Sequence, residues 1–99
     1  MKRPWAFICA NEGATSKHLR NYCREVYLLG YLPVCPKLQD SQYLVLEDAV
    51  ERSEYTAIVR DKLLRCPMLV VCSRNQDATT NAQIGLAQKY NRIVTTLDG

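Results

Sequence analysis

Nothing in this chain reads as a membrane span, because its apolar runs, Met68 to Cys72 among them, fall far short of a bilayer. Met1-Lys2-Arg3 leads directly into a strand-like stretch broken by Asn11 and Glu12, so no signal peptide is expected either. The chain also lacks a C-x-x-C pair, and histidine occurs only at His18. The five cysteines, Cys9, Cys23, Cys35, Cys66 and Cys72, are an odd number that fits neither a fully paired disulfide framework nor a zinc knuckle. Free thiols in a reducing cytoplasm are expected, with no metal and no cofactor. There is no block of basic residues interleaved with aromatics; the formal charge of +3 comes from Lys and Arg scattered along the chain, which argues against a nucleic-acid partner. Glycine is sparse where a phosphate-binding loop would need it, since Asn11 to Ser16 holds only Gly13 and is neither a dinucleotide fingerprint nor a P-loop. Internal repeats and low-complexity segments are absent as well.

What remains is an ordinary globular composition in 99 residues, enough for one core and hence one domain spanning residues 1–99. Trp5 to Cys9 is a compact apolar run followed by a loop of turn-forming residues, the pattern of a strand entering a loop. From a cap at Thr15 or Ser16, the positions Leu19, Tyr22, Cys23, Val26 and Tyr27 recur at helical spacing until Gly30. Tyr31 to Cys35 is a brief apolar stretch containing Pro33 and closed by Pro36, which predicts a short strand near a sheet edge, and Lys37 to Tyr43 reads as polar loop. Leu46 to Leu63 traces two helical stripes or one bent helix ending at Cys66-Pro67. Met68 to Cys72 has the uninterrupted apolar character of a strand covered on both faces. A polar loop, a helix over Ala78 to Tyr90 and a β-branched strand over Arg92 to Leu97 complete the pattern.

Strands alternating with helices imply right-handed crossovers, hence a parallel sheet of about four strands, expected in the order 2-1-3-4, with helices on both faces. Ligands then bind where the chain changes direction, at the carboxyl ends of the first and third strands. The loops Ala10 to Ser16 and Ser73 to Thr80, flanked by Pro36 to Tyr43, frame that crevice. Asn11, Glu12, Gly13, Asp77, Asn81 and Gln83 are the candidate ligand-binding residues. Thr15 and Ser16 serve equally well as helix caps. Cys9, Cys35 and Cys72 each end a strand, and with neighbouring strands roughly 5 Å apart these three thiols would converge, although as packing groups rather than a metal site. His18 is expected at the solvated surface.

The segments AFICAN, LRNYCREVYLLGYLPVCP, LLRCPMLVVCS and NAQIGLAQKYNRIV resemble, in order and spacing, the nucleoside 2-deoxyribosyltransferase-like superfamily, especially its short bacterial and phage members. The resemblance implies a three-layer Rossmann-like or flavodoxin-like domain. It also implies a glutamate nucleophile, in the helix after the third strand, that attacks the anomeric carbon of deoxyribose. In Ala82-Gln83-Ile84-Gly85-Leu86-Ala87 that position is Gln83, and an amide cannot act as the nucleophile. Pro67 stands where relatives carry an acidic residue, and Thr79, Thr80 and Asn81 stand in place of glycines. The expected function is therefore binding of a nucleoside, nucleotide or sugar phosphate without glycosyl transfer. One alternative is N-glycosidic hydrolysis or transfer using Glu12 or Asp77. Another is a non-catalytic interaction module that oligomerises through exposed surfaces, some of its six tyrosines among them.

Overall fold

A computed structural model describes residues 2–73 and 75–97. Strand β1 (Trp5–Cys9) feeds helix α1 (Ser16–Leu28), and strand β2 (Leu32–Val34) feeds the short helix α2 (Pro36–Gln39) and the long helix α3 (Ala49–Arg65). Strand β3 (Met68–Val71), helix α4 (Ala78–Lys89) and strand β4 (Ile93–Thr96) follow. All pairings are parallel and the order is β2-β1-β3-β4, as the alternation predicts. The register places Ala6 opposite both Pro33 and Met68, and Met68 opposite Ile93.

Local chemistry explains where the helices begin and end. Thr15 Oγ1 accepts the His18 N–H at 3.3 Å, which satisfies one of the free donors at the start of α1. Gly30 ends it with φ +104°, a left-handed conformation in which the Tyr31 N–H reaches back to Val26 O at 3.4 Å. Asp48 caps α3 through the Glu51 N–H at 3.0 Å, and Cys66-Pro67 terminates it. The stripes beginning at Leu46 thus resolve into one helix, with Leu46 itself in the preceding loop, where its carbonyl accepts from Arg52 Nε at 2.8 Å. The segment read as polar loop after Pro36 contains α2 instead. Pro36 occupies its first turn, where a missing N–H costs nothing and the fixed φ favours helix. Within β2, Leu32 donates to Pro4 O at 2.8 Å, so alternation turns Pro33 toward the outer edge, where no donor is needed.

The sheet separates two cores. Ala6, Ile8 and Ala10 join Cys35, Val70 and Cys72 beneath Leu19 and Val26 of α1. Phe7 and Cys9 join Val34, Leu69 and Val71 beneath Leu63 of α3 and Ala87 of α4. Successive strand residues point to opposite faces, so β1 can be apolar throughout only because both faces are covered. The same alternation corrects the expected convergence of Cys9, Cys35 and Cys72. Cys9 faces α4, whereas Cys35 and Cys72 face α1 and meet Cys23 there. Among the described residues, no helix is long and apolar enough to cross a membrane.

Candidate functional site

The loops after β1 and β3 are tied together by polar contacts at the carboxyl edge of the sheet. Asn11 donates its N–H to Ser73 Oγ at 2.9 Å, and its side-chain oxygen accepts from Thr80 Oγ1 at 3.0 Å. The Asp77 carboxylate serves two loops at once. One oxygen caps α4 by accepting the Thr80 N–H at 2.9 Å, and the other accepts the Glu12 N–H at 2.9 Å. Those two N–H donors, Thr80 first and then Glu12, hold the Asp77 carboxyl below the usual carboxylate range. Thr79 Oγ1 donates to Glu12 Oε2 at 3.2 Å, so the Glu12 side chain is turned toward α4. From the other side Lys37, in α2, donates through Nζ to the carbonyl oxygens of Asn11 and Glu12. The β1–α1 loop is thereby held from β3, α4 and α2 together.

Beside this network lies an open crevice of about 990 Å³. Its apolar wall includes Phe7, Leu46, Val59, Leu63 and Leu86, and its polar groups include Glu12, Lys37, Arg52, Arg60, Thr79 and Gln83. An apolar cleft with a few converging polar groups is the usual form of a small-molecule site. Tyr55 also faces the crevice, and burial, reinforced by neighbouring acidic groups, pushes its phenol up to about 12, so it is present as a neutral hydroxyl. Gln83 is the most informative member. Its Oε1 is buried without a hydrogen-bond partner, the one such side-chain atom among the described residues. An orphaned acceptor of this kind costs roughly 1–3 kcal/mol, which a ligand donor would recover.

Of the residues expected here, Glu12 and Gln83 line the crevice. Asn11 and Asp77 stand behind it as the braces that shape the loop, Gly13 is exposed on the loop, and Asn81 is exposed on α4. All six lie at the carboxyl edge, so Asn11 and Gln83 share one end of the sheet. Lys37, Arg52 and Tyr55 escaped the sequence reading. The latent signal was the spacing Arg52, Tyr55, Thr56, Val59 and Arg60, a helix face that carries both charge and apolar bulk. His18 is exposed outside the crevice. Burial, followed by the nearby Asp77 charge, pushes the Cys9 thiol up to about 12, and it remains a donor to Thr80 O at 3.8 Å. Among the described residues, no group of three or more His, Cys, Asp or Glu side chains is placed to hold a metal ion.

These features define a doubly wound α/β domain with an open crevice at its topological switch point. No family model matches the chain, and no curated protein matches it.

Proposed function

We propose that the crevice binds a nucleoside, a nucleotide or a related sugar phosphate and does not transfer the glycosyl group. The observation that carries this reading is Gln83. Its amide lies on the crevice wall with an unsatisfied oxygen, beside Glu12 and Thr79, and suits a sugar hydroxyl far better than an attack on carbon. Lys37, Arg52 and Arg60 supply positive charge for a phosphate, while Tyr55 and the aliphatic wall suit a base. Five cysteines without a C-x-x-C pair fit a reducing cytoplasm.

Glu12 is the carboxylate through which an enzyme reading would have to run, because Asp77 is committed to two backbone donors. A self-association reading draws on the exposed Leu28, Leu29 and Ile93. Thermal-shift titration with nucleosides, nucleotides and sugar phosphates separates the three. A concentration-dependent rise in Tm is expected for at least one ligand of this class, as linkage requires. In Gln83→Met that ligand-induced rise should disappear while the ligand-free protein melts higher, because the buried orphan oxygen is gone. Release of free base would favour the enzyme. No shift with any ligand, together with a dimer in light scattering, would favour self-association and overturn the binding proposal.

A further inference from the structure

The crevice leaves unused the thiols on the other face of the sheet. Cys35 and Cys72 are buried there under α1, and α1 itself brings Cys23 onto the same cluster. Cys23 is half-buried, whereas Cys35 is only 1 % exposed, so the pair has one member toward solvent and one within. Cys23 and Cys35 share this cluster, and their side chains influence each other. The interaction with Cys23 opposes the effect of burial and, with the N–H groups of Leu38 and Lys37 and the Lys37 charge, holds the Cys35 thiol below its ordinary range.

We propose that Cys23 and Cys35 form a peroxide-reactive dithiol site, which closes to a disulfide joining α1 to the end of β2. The Cys35 thiolate attacks one peroxide oxygen and breaks the O–O bond, giving a sulfenic acid and hydroxide, which takes up the proton that Cys35 released to leave water. Cys23 sulfur then attacks the sulfenic sulfur; the S–O bond breaks, and its oxygen leaves as water with the Cys23 proton. Two thiols and one peroxide thus become one disulfide and two waters.

The fold rules out the other pairings with Cys35. Strands β2 and β3 flank β1, so the backbones that carry Cys35 and Cys72 are two strand spacings, ~10 Å, apart. That exceeds the Cα separation of about 4.4–6.8 Å that a disulfide spans. Cys9 faces the opposite core, as does Cys66. The link would also report to the crevice, because Lys37, two residues after Cys35, holds the carbonyls of Asn11 and Glu12.

The test treats the native chain with hydrogen peroxide, then denatures and alkylates it without reductant, followed by intact-mass and tryptic analysis. The expected product has lost the mass of two hydrogens, retains three of the five alkylatable thiols and reverts with dithiothreitol. Its tryptic digest joins peptide 21–24 to peptide 25–37. Cys23→Ser should give no joined peptide and should leave oxygen on Cys35. Cys66→Ser should oxidise as the wild type does. The proposal is overturned if all five thiols remain alkylatable, if oxygen adds without a link, or if the link involves peptide 3–17 or 66–74. Mapping of the wild-type product decides the matter even if a variant folds poorly.

Discussion

Thr80→Val isolates the contact that joins the two halves of the site. Thr80 is 0 % exposed, and its hydroxyl donates to the Asn11 side chain across the gap between the β1 and β3 loops. Valine keeps the branched shape, so little cavity opens, but the donor is lost. A neutral hydrogen bond contributes about 0.5–1.5 kcal/mol net. Asn11 is only partly buried, so water can reach its freed oxygen, and the new methyl gains a little by burial. The expected loss is therefore about 1 kcal/mol, which in a domain of this size lowers Tm by roughly 4–8 °C. Urea denaturation of Thr80→Val, Asn11→Ala and the double variant closes a cycle whose coupling should be ~1 kcal/mol. Thr79→Val is the control, since its partner Glu12 is exposed, and it should stay within about 0.5 kcal/mol of wild type. A coupling near zero between positions 80 and 11 would refute the claim that this bond fastens the loops.

Three further outcomes follow from the same geometry. Leu63→Ala, at a position of α3 that is 1 % exposed against the sheet, should cost about 2–5 kcal/mol in urea denaturation, because the sheet cannot collapse into the space. Burial alone would raise the Asp40 carboxyl, but the Lys62 ammonium at 2.7 Å and the Tyr43 hydroxyl outweigh it and hold it low. That stabilisation is in force above the ordinary carboxylate value near about pH 4 and is lost as pH falls through the lower folded value. Lys62→Met should accordingly melt below wild type at neutral pH, with the gap closing in acid; a gap unchanged down to about pH 3 would contradict this. Wild-type protein should show no base exchange and no covalent adduct with a fluorinated deoxynucleoside by intact mass. Gln83→Glu should reach trace exchange at most, and robust wild-type exchange with an adduct on Glu12 would reverse the reading of Gln83.

Strand order and the covering of both sheet faces by helices were legible because the signals were strong. The unbroken apolar run from Met68 fits only a strand covered on both sides, and Thr15 and Gly30 bracket α1 with the chemistry its ends require. Helix α2 was not legible, since one turn is too short to show a period and Pro36 reads equally as a stop or a start. Asn11, Glu12, Asp77 and Gln83 could be placed at one edge from topology alone. Their division of labour could not, because whether Asp77 faces a ligand or two backbone N–H groups depends on loop geometry. The contribution of α3 was missed for a similar reason. Which helix face overhangs the sheet edge is decided by packing angles that spacing does not encode.

The central pairing of β1 with β3 has a consequence for how the chain assembles. Phe7 and Ile8 lie near the start of the sequence, yet their partners Leu69 and Val70 come after two thirds of it. A nascent chain that has produced β1, α1 and β2 therefore carries a ribbon whose β1 edge and one face are uncovered, since α3 and β3 are still to come. Closing so long a loop costs entropy before any contact repays it, which places folding toward the slow side for a domain of this size. Neither the β1–β2 half nor the β3–β4 half owns a complete core, so the sheet assembles as one cooperative unit.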